Sequence, residues 1–291
     1  MTYKTVLLHI DDGAGRDARV ALAASVAQAC GGHLTGVALT GVSRLLYQHQ
    51  PDLDADPNLT LHLNFLRERA ARALDGFEQQ ASGFGVASYE QRVVDDEAAG
   101  GISLLARYAD LVVISQYNAE DKSPSVMRDF PAYVLLHSGR PVLIVPHALR
   151  AEQLAPAAHP AAANNVLISW NGSKEASRAV SAALPLLQRA GQVHVAVFDA
   201  QLHAAEHGEN PGADILQYLA RHGVQAKLLL LDGGATRRGD IGDALLSQAA
   251  DLSADLLVMG AYGHSRLRET ILGGVTRTVL QSMTIPVLMA H

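Results

Sequence analysis

The sequence predicts an α/β protein made of two tandem, doubly wound parallel sheets, and three observations carry that prediction. Short, continuously apolar runs alternate with amphipathic stretches of helical period, the pattern of a parallel sheet covered on both faces. The chain has 291 residues, about twice the common domain length. It also repeats itself. Ala109-Asp-Leu-Val-Val-Ile-Ser115 lies over Ala254-Asp-Leu-Leu-Val-Met-Gly260 at an offset of 145, which also places Tyr117 on Tyr262, Val134-Leu135 on Val279-Leu280 and Pro141-Val142-Leu143 on Pro286-Val287-Leu288 without a gap. The beginnings match at an offset of 160, Val6-Leu-Leu-His-Ile-Asp11 over Val166-Leu-Ile-Ser-Trp-Asn171. The difference of 15 residues is an insertion in the first half, placed over Tyr47 to Asn58. Two diverged copies of one fold follow.

In order, the first half reads as strand Thr5 to Ile10, helix Arg16 to Cys30, strand His33 to Leu39, the insertion, helix Leu59 to Ser82 and strand Val86 to Val94. Helix Glu97 to Tyr108, strand Leu111 to Ser115, helix Pro131 to Ser138 and strand Val142 to Val145 complete it. The second half repeats this as Val166 to Ser169, Glu175 to Ala190, Val193 to Phe198, Ala213 to His222, Gln225 to Leu231, Ile241 to Leu252, Leu256 to Met259, Val275 to Met283 and Val287 to Ala290. Gly31-Gly32, Gly191 and Gly223 stand just after helices, where a left-handed cap is wanted. Ser173 and Asp240 are expected N-caps. Residues 149–164, rich in Ala and Pro, read as a linker between domains 1–148 and 165–291.

A net charge of −6 with pI near 6.1 lacks the basic footprint of a nucleic-acid binder. No charged-then-apolar leader precedes the first strand and no apolar run approaches bilayer length, so a soluble cytoplasmic protein without a membrane partner is expected. The single cysteine, Cys30, fits a reducing compartment and is expected in the core.

The functional signal lies between Asp255 and Ala290. An apolar run ends in Gly260-Ala-Tyr-Gly263, and nine residues later comes Gly273-Gly274-Val275-Thr276, at the start of a helix. Spaced glycines after a buried strand let the backbone approach a phosphate closely. Gly260 and Gly263 permit positive φ, and the unpaired N–H groups of the following helix point outward.

This pattern resembles the nucleotide-binding members of the universal stress protein family, whose signature reads G-x-x-G, nine residues, G-[S/T]. Here Gly260, Gly263 and Gly273 match, whereas Gly274 stands at the Ser/Thr position. The backbone donors of Gly274 and Val275 remain and Thr276 supplies a hydroxyl, so weakened binding is expected. The resemblance implies strand order 3-2-1-4-5 in each Rossmann-like half and ATP or a related adenine nucleotide as ligand, with Mg2+ as a companion of its phosphates. Asn171-Gly172-Ser173 matches the family's Asp-Gly-Ser turn at the adenine and ribose end, with an uncharged Asn for Asp. Leu231-Asp232-Gly233 would meet the base edge through backbone groups, and His264, Arg266 and Arg268 could approach the phosphates. The last strands, Val142 to Val145 and Val287 to Ala290, are expected to pair inside the chain across a pseudo-twofold axis, which leaves room for a homodimer of chains. Binding would signal through conformation or assembly in a stress response.

In the first half Gly260, Gly263, Gly273 and Gly274 fall on Ser115, Asn118, Arg128 and Asp129. Asp129 would face phosphate oxygens, so that copy is expected to be degenerate. Gly13-Ala-Gly-Arg-Asp-Ala18 satisfies a dinucleotide fingerprint, but no acid ends the second strand to take a ribose hydroxyl. His203-Ala-Ala-Glu206-His207 has the spacing of a zinc peptidase but sits in a short connection, so no metal site is expected. No P-loop, H-x-G-H pair or nucleophile elbow occurs. A cradle without catalytic machinery is the expectation, with a scaffold that binds no nucleotide and a slow ATPase as alternatives.

Overall fold

A computed structural model describes residues 2–43, 57–120, 126–154, 163–200, 210–231, 238–263 and 274–291. In the first half β1 (Thr5–His9), α1 (Arg16–Cys30), β2 (His33–Leu39), α2 (Pro57–Ala73), α3 (Phe77–Gly83) and β3 (Ser88–Val94) come first. They are followed by α4 (Ala98–Leu105), β4 (Leu111–Ser115), α5 (Phe130–His137) and β5 (Val142–Val145). The second half runs β6 (Asn165–Ser169), α6 (Lys174–Leu187), β7 (Gln192–Phe198), α7 (Ala213–Arg221), β8 (Ala226–Leu231), α8 (Arg238–Asp251), β9 (Leu256–Gly260), α9 (Gly274–Ser282) and β10 (Val287–Ala290).

All ten strands join one sheet in the order β3-β2-β1-β4-β5-β10-β9-β6-β7-β8. Each half is parallel and ordered 3-2-1-4-5, as the resemblance implied. The halves meet where β10 runs antiparallel to β5, with Val287 opposite Ile144, Leu288 opposite Leu143 and Met289 opposite Val142. Every residue of these two strands is buried, which is why they are apolar without alternation. Strand direction inverts at this seam, so the carboxyl ends of the two parallel sets lie on opposite rims of the sheet. In open α/β sheets those ends are where ligands bind.

Side chains that alternate along the strands feed two cores, each spanning both halves. Leu8, Val166 and Ile168 pack with α1 and α6 on one face, and Leu7, Leu167 and Leu257 with α4, α5, α8 and α9 on the other. Helix α1 buries Ala21, Ala23, Ala24 and Ala27, small residues that let helix and sheet approach closely, and Cys30 is buried at its end. Contacts between the halves are specific as well as apolar. The Tyr3 hydroxyl donates to the Ala182 carbonyl of α6 at 2.6 Å, and burial raises its phenol pKa.

Several boundaries differ from the sequence reading. The helix expected over Leu59 to Ser82 divides into α2 and α3 because Gly76 takes the left-handed conformation (φ 77°) that a continuous helix cannot contain. Asp240 lies inside the first turn of α8 rather than ahead of it. Gly31 and Gly223 have the expected left-handed φ, but Gly32 and Gly191 do not. The last two are small for lack of room: a Cβ on Gly32 would lie 2.5 Å from the Tyr3 carbonyl oxygen, and one on Gly191 2.5 Å from Asn164 Oδ1. Most of the expected insertion lies outside the described residues.

Candidate functional site

The second-half crevice is built where β9 ends against the first turn of α6. Gly260, the last residue of β9, touches that turn directly: a Cβ there would strike the Ala176 amide nitrogen and lie 2.6 Å from the Glu175 carbonyl carbon. The chain then bends. Ala261 stays tied to the sheet by donating its amide to the Ala290 carbonyl at 2.9 Å. The positive φ expected at Gly260 and Gly263 occurs instead between them, at Tyr262 (φ 60°). Both glycines therefore answer a demand for close approach. A Cβ on Gly263 would lie 2.8 Å from Glu175 Oε2 and 3.5 Å from Ser173 Oγ.

The Tyr262 amide points to Thr276 Oγ1 in the first turn of α9, at 3.5 Å, and Thr276 is buried. Its ring meets His291 edge-on, and burial raises the phenol pKa. Gly274 opens α9 and Val275 follows it, half-buried. The bend thus stands before the amino-terminal turns of two helices, whose first amides have no intrahelical partner.

At the start of α6, Ser173 is the N-cap that the sequence predicted, its Oγ accepting from the Ala176 amide at 3.1 Å. Asn171 Oδ1 in turn accepts from the Ser173 amide at 3.2 Å and the Ser173 hydroxyl at 2.7 Å. Gly172 between them has φ 72°. The Asn171 oxygen is therefore committed to the turn, and its amide nitrogen is the group that can face a ligand.

Leu231 stands apart. It ends the edge strand β8, and its carbonyl already accepts from the Asp199 amide at 3.1 Å. His264, Gly273, Arg266, Arg268, Asp232 and Gly233 lie outside the described residues, as do His203, Glu206 and His207. Of the expected site residues, the fold brings together Ser173, Gly260, Gly263 and Thr276, with Asn171 and Gly172 on the rim.

Glu175 was not anticipated. Its side chain is 3% exposed, with Oε1 3.5 Å from Lys174 Nζ. Its Oε2 is buried with no hydrogen-bond partner among the described residues. In sequence it reads as an ordinary first-turn acid favoured by the helix dipole. Only its neighbourhood to the two glycines, which the fold creates, sets it apart.

In the first half a buried ion pair stands at the corresponding turn. Asp11, the counterpart of Asn171, accepts from the Gly13 amide at 3.1 Å and pairs with the buried guanidinium of Arg19. Arg19 also donates to the His9 carbonyl at 2.8 Å. The His9 ring lies 5.0 Å from Phe130, which stands where the second half has Val275. Burial outweighs the attraction of Asp11 and pulls the His9 pKa down to about 4, so the ring is neutral. Asp11 thus occupies the very turn that the dinucleotide fingerprint would need for a pyrophosphate.

Among the described residues no three His, Cys, Asp or Glu side chains are grouped to hold a metal, and no helix is long and apolar enough to cross a membrane. Residues 163–291 match the universal stress protein family. A universal stress protein of Synechocystis sp. is 39% identical over 70 residues, which span 24% of this chain and 22% of that protein. Among solved structures, a universal stress protein from Archaeoglobus fulgidus superposes with a TM-score of 0.69 at 16% identity, covering 99% of this chain and 98% of that one. A functionally unknown protein from Pseudomonas aeruginosa superposes at 0.56 with 15% identity, covering 99% and 92%.

Proposed function

We propose, from the match of residues 163–291 to the universal stress protein family, that the second half of the chain binds ATP or a related adenine nucleotide at the Gly260–Gly263 bend. One observation carries this reading: the bend faces the first turns of both α6 and α9 with no side chain of its own at either glycine. Ala261, Tyr262 and Ala176 spend their amides on Ala290, Thr276 and Ser173, so the first amides of α9, which lack intrahelical partners, are the ones suited to phosphoryl oxygens. Asn171 Nδ2 and the Gly172 turn stand at the rim for the sugar and base, and His264 and Gly273, outside the described residues, are the further candidates that the sequence offers for the phosphates. Phosphates bring Mg2+ with them. We take the domains as 1–148 and 165–291, the first without nucleotide, a reading supported by the buried Asp11–Arg19 pair at the turn that matches Asn171.

In this reading the nucleotide acts as a signal in a cytoplasmic stress response. The lever is short: Ala261 is hydrogen-bonded to β10, and β10 to β5 of the other half. Ordering of the bend would therefore reach the seam and change either the conformation of the chain or its assembly. Native mass spectrometry of the purified protein tests the reading, with one adenine nucleotide per chain expected. Calorimetry showing no ATP binding at millimolar ligand would overturn it.

A second reading, a scaffold of the same fold that takes no nucleotide, is favoured by one observation. The Glu175 carboxylate already lies against Gly263.

A further inference from the structure

Among the described residues Glu175 Oε2 is the one carboxylate oxygen that is buried without a hydrogen-bond partner. An ionised carboxylate can only accept, and leaving a buried charge unmatched is costly. Lys174 does not match it: its ammonium lies 3.5 Å from the other oxygen on a side chain that is 71% exposed. The free amides at the start of α6 favour negative charge there without bonding to Oε2. What the oxygen does face is the bend, since a Cβ on Gly263 would come within 2.8 Å of it. A ligand atom in the space beside Gly263 would lie against Glu175 Oε2.

A phosphoryl group in that position would sit beside a like charge. At a separation of about 4 Å and an effective dielectric of about 20, one such contact weakens binding about a thousandfold. Backbone donors alone do not offset that. A hard divalent cation does, because Mg2+ is commonly held by one or two carboxylates together with phosphoryl oxygens and water. A single protein carboxylate is sufficient for such a site.

We propose that Glu175 makes phosphoryl binding at the Gly260–Gly263 bend conditional on a divalent cation, which its Oε2 and the phosphoryl oxygens ligate together. This rests on the nucleotide reading above. Glu175 binds and orients the metal–phosphate pair, and in the absence of a cation it repels anions from the crevice. The buried carboxylate and the nucleotide are then parts of one site, which removes the observation that favoured the scaffold.

The test is calorimetric titration of the full chain with ATP, in MgCl2 and in EDTA, for wild type, Glu175→Gln and Glu175→Asp, each checked for folding by circular dichroism. Wild type should bind at least about tenfold more weakly in EDTA, Glu175→Asp should keep that dependence, and Glu175→Gln should bind equally within about twofold in both buffers. A wild-type affinity unaffected by EDTA overturns the proposal while leaving nucleotide binding intact, and this arm needs no variant. A Glu175→Gln protein that keeps the wild-type ratio overturns it too. Silence of the wild type in both buffers refutes the nucleotide reading itself, and the cation site with it.

Discussion

Gln116, at the end of β4 in the first half, donates through Nε2 to the carbonyl of Leu280, in the last turn of α9 in the second, at 3.0 Å. The same amide reaches the Gln281 carbonyl at 3.2 Å, and its Oε1 accepts from the His147 amide at 3.2 Å. One side chain thus ties together the first half, the residues after β5 and helix carbonyls that lack intrahelical partners.

Replacing Gln116 by Leu therefore removes bonds on both sides of the seam. The expected cost is about 1–3 kcal/mol, read as a lower urea midpoint. An unchanged midpoint would show that water serves those carbonyls equally well.

His9 makes stability depend on pH. Its pKa is near 4 in the fold against 6.5 for the ordinary group, so the unfolded chain binds a proton over that interval and the native state does not. Stability should be constant above pH 6.5 and fall as pH drops toward 4, by up to about 3 kcal/mol. His9→Leu should flatten that part of the profile when urea midpoints are compared across pH.

The Asp11–Arg19 pair can be tested in the same way. Arg19→Met strips a buried carboxylate of its guanidinium, and about 3 kcal/mol should be lost. The double variant Asp11→Asn/Arg19→Met should recover most of it, because the charge leaves with its partner. Equal losses in single and double variants would mean that Arg19 matters only for its packing.

The two glycines of the bend should fail differently. Gly260→Ala drives a methyl into the backbone of α6, which cannot give way, so stability should drop by about 1–3 kcal/mol. A methyl on Gly263 meets the end of the Glu175 side chain, which can rotate. Gly263→Val should thus melt near wild type yet lose ATP affinity in MgCl2, and a matched affinity would place the phosphates elsewhere.

The repeat, the strand order and the Ser173 cap were legible in the sequence because each rests on local pattern or on two copies that check one another. The spacing of Gly260 and Gly263 was legible as well, but its cause was not. Sequence shows that a side chain is missing, whereas only packing shows that α6 fills the space and that the unusual φ belongs to Tyr262. Glu175 escaped for the same reason: a first-turn acid is commonplace until β9 is laid against it. Gly76 divided a helix that apolar periodicity ran straight through.

The seam between β5 and β10 gives the amino-terminal copy a duty that owes nothing to ligands. Val142–Val145 covers an apolar margin, Val287–Ala290, that would otherwise lie open as a ready template for any extended chain. Cut free of its sibling, the carboxy-terminal copy would have to find another strand to cover itself. Even without a ligand of its own, the amino-terminal copy would therefore not be dispensable.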